Sequence, residues 1–82
     1  MLRVHLGQLQ PGEVATIALI EAEEGLRQRL HALGFRVTRP VKMIRRAWCN
    51  GPLHVRIGST EVMLRTRDAQ EIHIKDICTG VS

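Results

Sequence analysis

Four histidines (His5, His31, His54 and His73), two cysteines (Cys49 and Cys78), Ser59 and eight carboxylates are the groups here able to do chemistry. Catalysis needs a nucleophile, a base or a metal held within reach of one another. No HxH, HxxxH, CxxC or HExxH spacing is present, and no glycine-rich phosphate loop. The residues four positions either side of His31 are Arg27 and Phe35, neither of them a metal ligand. His54 and His73 alternate with apolar residues and are expected to point outward. The pattern argues against an enzyme. A metal site would have to recruit His54 or His73 with Cys49 or Cys78, Fe(II) accepting imidazole and carboxylate, Zn(II) the thiols. No spacing asks for such a site, solvated surface histidines are the simpler reading, and no cofactor is expected. The two cysteines, far apart in sequence, read as reduced thiols without a redox role.

Charge is the next signal. The chain carries a formal +4, unevenly spread. Residues 1–26 sum to −3, residues 27–67 to +9 with nine arginines and Lys42 against Glu61, and residues 68–82 to −2. An arginine-rich middle suits an acidic protein surface, nucleic acid or anionic headgroups, or is simply the solvated face of strands and a helix.

These residues must be positioned by very little chain. Eighty-two residues make one domain, expected to span residues 1–82. With 44% hydrophobic residues but only Phe35 and Trp48 as aromatics, the core must be aliphatic. No apolar run approaches the roughly 20 residues of a membrane span. The opening Met1-Leu2-Arg3 does not start a signal peptide, so a cytoplasmic protein without membrane insertion is expected.

The spacing of Leu2, Leu6 and Leu9 predicts one or two helical turns before the Pro11-Gly12 turn. Val14 to Glu21 reads as a strand, apolar enough to be buried on both faces. Leu26, Leu30 and Leu33 fall on one face of a helix of about three turns, with Glu23 and Glu24 at its start and Gly34 as its cap. Val41 to Arg46 is strand-like, and Asn50-Gly51-Pro52 signals a turn. Leu53, Val55 and Ile57, then Val62 and Leu64, alternate with polar residues as an antiparallel pair. Thr66 is expected to cap a short turn that packs Ala69 inward. Ile72, Ile74 and Ile77 mark a closing strand, with a frayed tail from Cys78 to Ser82. About five strands and one helix after the first long strand favour a small mainly-β barrel, since closure removes exposed edges.

Several stretches together carry a family likeness: Leu6-Gly7-Gln8-Leu9-Gln10-Pro11-Gly12-Glu13, Leu26-Arg27-Gln28-Arg29-Leu30 through Leu33-Gly34-Phe35, Gly51-Pro52-Leu53, and Leu64-Arg65, Ala69, Ile72 and Ile74. In this order, from about Leu6 to Ile74, the chain resembles the FeoA family of small bacterial proteins that accompany the FeoB ferrous-iron transporter. The resemblance implies an SH3-like barrel, a cytoplasmic location, and contacts with that membrane GTPase-transporter. It departs from the family at Arg36-Val37-Thr38-Arg39-Pro40, where a Pro-Gly turn is usual, and at Trp48-Cys49.

For such a contact, Trp48 flanked by Arg45 and Arg46 is the best anchor, since Trp and Arg dominate binding hot spots. Leu26, early in the helix, is a further candidate. The alternative for Trp48 is to fold back and plug the barrel end. Self-association through the same surface, a nucleic-acid-binding barrel and a small metal-binding regulatory module are the competing functions. Nucleic acid is the poorer fit, because single-strand platforms stack bases on several aromatics.

Overall fold

The computed structural model describes residues 4–49 and 51–79. Strand β1 (Val4–His5) runs into a 3₁₀ turn (Leu6–Gln8), followed by β2 (Glu13–Ile20), helix α1 (Glu24–Leu33) and β3 (Pro40–Arg46). Then come β4 (Leu53–Ile57), β5 (Thr60–Leu64), the one-turn helix α2 (Thr66–Ala69) and β6 (Ile72–Thr79). The protein is mainly β, one antiparallel sheet in the order β1-β6-β2-β3-β4-β5.

Two features differ from the expected closed barrel of five strands. A sixth strand, β1, pairs two residues with β6 ahead of the leucine-rich turn, which is 3₁₀ rather than α. Leu2 lies outside the described residues, as do Asn50 and the tail beyond Thr79. The sheet is also open, with no pairing between β1 and β5 among the described residues. Both edges are short, and α1 lies along the β5 flank, its leucines lining a groove with Met63 and Leu64. Short edges limit the unpaired backbone that an open sheet exposes.

Local sequence explains α1 in detail. The Glu23 carboxylate accepts the Leu26 N–H at 2.9 Å, closing the first turn. Gly34 adopts φ 105°, its N–H donating to the His31 carbonyl, while Phe35 N–H returns to the Leu30 carbonyl at 2.9 Å. That left-handed end turns Phe35 inward, where it is the largest fully buried side chain. Of the three leucines on the helix face only Leu30 is fully buried; Leu26 is half-buried and Leu33 is exposed.

Strand β2 corrects another expectation. Ala15, Ile17 and Ile20 are buried, but Leu19 is exposed, so the strand is covered on one face only. Register shifts against β6 after Val14 and after Ile17 reset the alternation. Opposite the first, Asp76 takes φ 54° and Ile77 swings out to solvent, so β6 closes the core through Ile72 and Ile74 alone. Cys78 is not frayed: it pairs with Val14 in β6.

The stretch in place of a Pro-Gly turn folds with Thr38 at φ 77°, a left-handed conformation that a β-branched residue rarely adopts. Its N–H donates to the Ile17 carbonyl at 2.8 Å, and Ile17 N–H donates to the Arg39 carbonyl at 2.9 Å. Two bonds to a central strand hold the strained turn in place. Strands β4 and β5 alternate as expected, Leu53, Val55, Ile57, Val62 and Leu64 all pointing into the core. The capping position of α2, however, is Arg65 rather than Thr66, and the Arg65 side chain makes no cap bond. The Thr66 hydroxyl instead donates to the Gly51 carbonyl at 3.0 Å and ties α2 to the β3–β4 loop.

Candidate functional site

The residues singled out for chemistry do not converge. Among the described residues no three His, Cys, Asp or Glu side chains are grouped so that they could hold a metal ion. His54 Nε2 lies 2.8 Å from Glu61 Oε1, and Arg56 donates to Glu61 Oε2 at 2.7 Å. The Arg56 guanidinium, and then His54, hold the Glu61 carboxyl below its ordinary range. His73 pairs with Glu21, His31 is exposed on α1, and both cysteines are exposed and free. The His54–Glu61–Arg56 cluster lies at the surface and is of modest energetic worth. His73, by contrast, is largely covered, its Nδ1 buried without a hydrogen-bond partner among the described residues.

His5 has a structural task that sequence did not reveal. Its Nδ1 accepts the Gly7 N–H at 3.1 Å while its own backbone N–H donates to Gln8 Oε1 at 3.0 Å, so it caps the 3₁₀ turn. Desolvation, and then the neighbouring His73 and Arg46, push its pKa below the ordinary 6.5. A group with a depressed folded-state pKa contributes stability above its unfolded pKa and loses it as pH falls toward the folded value. Urea stability should therefore decline on acidification below about pH 6.5, the ordinary histidine pKa. His5→Asn, which keeps an acceptor for Gly7 but cannot titrate, should flatten that part of the profile. An unchanged slope in the variant would assign the acid sensitivity elsewhere.

The four expected contact residues do not share one place. Arg46 turns inward, its Nη1 donating to the Gly7 carbonyl at 2.6 Å and the Leu9 carbonyl at 3.0 Å. Arg45 is exposed on β3 opposite His54, across the shift in the β3–β4 register. Trp48 does not plug the sheet: at 92% exposure it stands free on the β3–β4 loop. Leu26 lies elsewhere, in a groove of about 210 Å³ between α1 and the β5 edge. Leu30, Leu33, Met63 and Leu64 complete its apolar lining, with Arg29, Arg65 and Asp68 as polar members. Met63 is 60% exposed on the outermost strand of the sheet.

Such a groove, apolar at the base and charged at the rim, suits an inserted side chain from a partner rather than a reacting substrate. Sequence periodicity identified the helix side of it. Nothing local marks Met63, on the outward face of β5, as part of a groove, because the helix that approaches it lies thirty residues earlier.

The fold is that of the SH3-like β domains, as the solved structures similar to it indicate. The FeoA domain matches residues 4–76, and the chain belongs to the FeoA family, which is associated with ferrous-iron transport. Iron(II) transport protein A of Clostridium thermocellum superposes with a TM-score of 0.84 at 28% identity, over 88% of this chain and 44% of that one. The FeoA of Stenotrophomonas maltophilia, an SH3-domain protein complexed with zinc, gives 0.73 at 25% identity over 88% and 89%. A manganese-dependent transcriptional repressor shares the fold, with a TM-score of 0.80 at 23% identity over 88% of this chain and 40% of the repressor. No curated protein matches the sequence.

Proposed function

We propose that this chain is a cytoplasmic accessory protein of bacterial ferrous-iron uptake that binds the cytosolic part of a FeoB-type GTPase transporter and supports or regulates it. Family membership supplies the transport context. The observation that carries the binding reading is the groove between α1 and β5, in which Leu26, Leu33 and Met63 leave apolar surface uncovered beside Arg29 and Arg65. A partner side chain entering it would be desolvated by leucines while the two arginines fix orientation. The edge of β5 lies alongside and offers backbone groups to an extended segment.

The test is capture of purified transporter, in neutral detergent, by the tagged chain. Met63→Glu changes an exposed position and should leave the fold intact while weakening capture at least about tenfold, as loss of a hot-spot contact does. Leu26→Asp should act in the same direction. Capture undiminished in both variants would place the contact outside the groove, and no capture by the wild type would reject the transporter as partner.

A further inference from the structure

The β3–β4 hairpin carries two features that the groove does not use. On the outer face of the sheet Lys42 stands opposite Arg56, and Arg45 opposite His54. Arg39 lays its guanidinium against Gly58 at the far end of the same hairpin. Lys42 and Arg56 are like charges across neighbouring strands, a pairing that repels. Arg39 and Arg45 add to the positive potential of this face, which an anionic surface would meet. Glu61, the carboxylate beside the row, is bonded to Arg56 and His54. A shallow apolar hollow at Val14 and Pro40 opens between Lys42 and Arg56.

At the opposite end of the hairpin is Trp48. Three hydrogen bonds tie the described residues of its loop: Ala47 N–H donates to the Pro52 carbonyl at 3.2 Å, Gly51 N–H to the Trp48 carbonyl at 3.0 Å, and the Thr66 hydroxyl to the Gly51 carbonyl. A Cβ on Gly51 would lie 2.8 Å from that of Ala47, so the tight loop requires glycine there. A single indole is thus held out into water beyond a basic strand pair. Indole rings favour the headgroup level of bilayers, and one apolar anchor joined to a basic patch is the pairing that secures a protein to an anionic surface.

We propose that the β3–β4 hairpin is a membrane-surface contact, in which Arg39, Lys42, Arg45 and Arg56 face anionic lipid headgroups and the Trp48 ring rests among them. No described helix is long and apolar enough to cross a membrane, so the contact is with the surface. Lipid fits better than nucleic acid because the basic row has no aromatics interleaved for base stacking. It fits better than a protein hot spot because the neighbours of Trp48, Ala47 and Cys49, are small and exposed and form no pocket rim around it.

Trp48 is the sole tryptophan, so its emission reports this contact without labelling. The full chain is titrated with vesicles of equal parts phosphatidylglycerol and phosphatidylcholine, and with phosphatidylcholine alone. Anionic vesicles should shift the emission to the blue, brominated acyl chains should quench it, and salt at about 1 M, where screening acts within about 3 Å, should reverse both. Lys42→Ala or Arg45→Ala should each lower the partition coefficient about fivefold; both side chains leave the core untouched, and the salt series needs no variant. Emission indifferent to anionic vesicles, or equal response to neutral ones, overturns the proposal. So does a shift produced only by single-stranded DNA or only by transporter in neutral detergent. The vesicles contain no transporter and the capture experiment no anionic lipid, so each reading fails separately.

Discussion

Phe35→Ala is expected to destabilise the domain by about 3–5 kcal/mol, the usual cost of emptying a buried phenylalanine site. The ring has no exposed surface and sits at the exit of α1, where Gly34 turns the chain and the Phe35 N–H closes on Leu30. It is the one aromatic in an otherwise aliphatic core, so no neighbouring ring can shift to refill the volume. A domain of this size has a total stability of roughly 4–12 kcal/mol, so the substitution removes a large share of it. Urea denaturation followed by far-UV circular dichroism measures the loss; Trp48, already in water, is a poor probe of unfolding. Phe35→Leu should recover most of the deficit, costing less than about 1.5 kcal/mol. A loss below about 1 kcal/mol for the alanine variant would mean that α1 is not docked through this residue.

Arg46→Met should cost about 2–3 kcal/mol, at the scale of hydrogen bonds made by a charged donor. The guanidinium spans from the end of β3 to the Gly7 and Leu9 carbonyls, and both of those residues are buried. Methionine keeps the stem but leaves two acceptors without their donor. Arg46 is only half-buried, so water can reach part of the gap and the upper end of the range is not expected. Its neighbour gives the comparison: Arg45→Met, at an exposed position, should stay within about 0.5 kcal/mol. Equal effects at the two positions would contradict the division of labour between them. Arg45 is instead expected to matter in the vesicle titration, where Arg46 has no part.

The adjacent pair Arg45-Arg46 shows where reading the sequence stops. Both were legible as basic residues beside an exposed loop, and alternation alone would place them on opposite faces. Which one meets solvent depends on the register shift between Met43 and Arg45, fixed by pairing with β4. That Arg46 then finds two carbonyls depends on a turn 37 to 39 residues earlier. Thr66 is a similar case. Its place before a short turn suggested a cap, but a carbonyl fifteen residues away competes for the hydroxyl and takes it. The two-residue β1 had no signal of its own, because a strand that short exists only by pairing with β6.

The candidate site was half legible. Leu26 stood out from helical spacing, yet the groove exists because the helix leaves Leu33 and part of Leu26 uncovered against the open edge of the sheet. A closed barrel would have had no such edge. Trp48 could be named from its type, but whether it filled the end of the sheet or stood in water depended on the tight loop that Gly51 and Thr66 hold.

The sequence by itself determined the periodic elements: helix α1 with its Glu23 and Gly34 ends, the alternating β4–β5 hairpin, and a mainly β, aliphatic core. Side-chain period and backbone preference are local properties, set within a few residues. Tertiary structure decided the openness of the sheet, the inward turn of Arg46, the outward stand of Trp48 and the groove beside β5. Each of these rests on contacts between segments distant in the chain, and no local pattern encodes which distant partner wins.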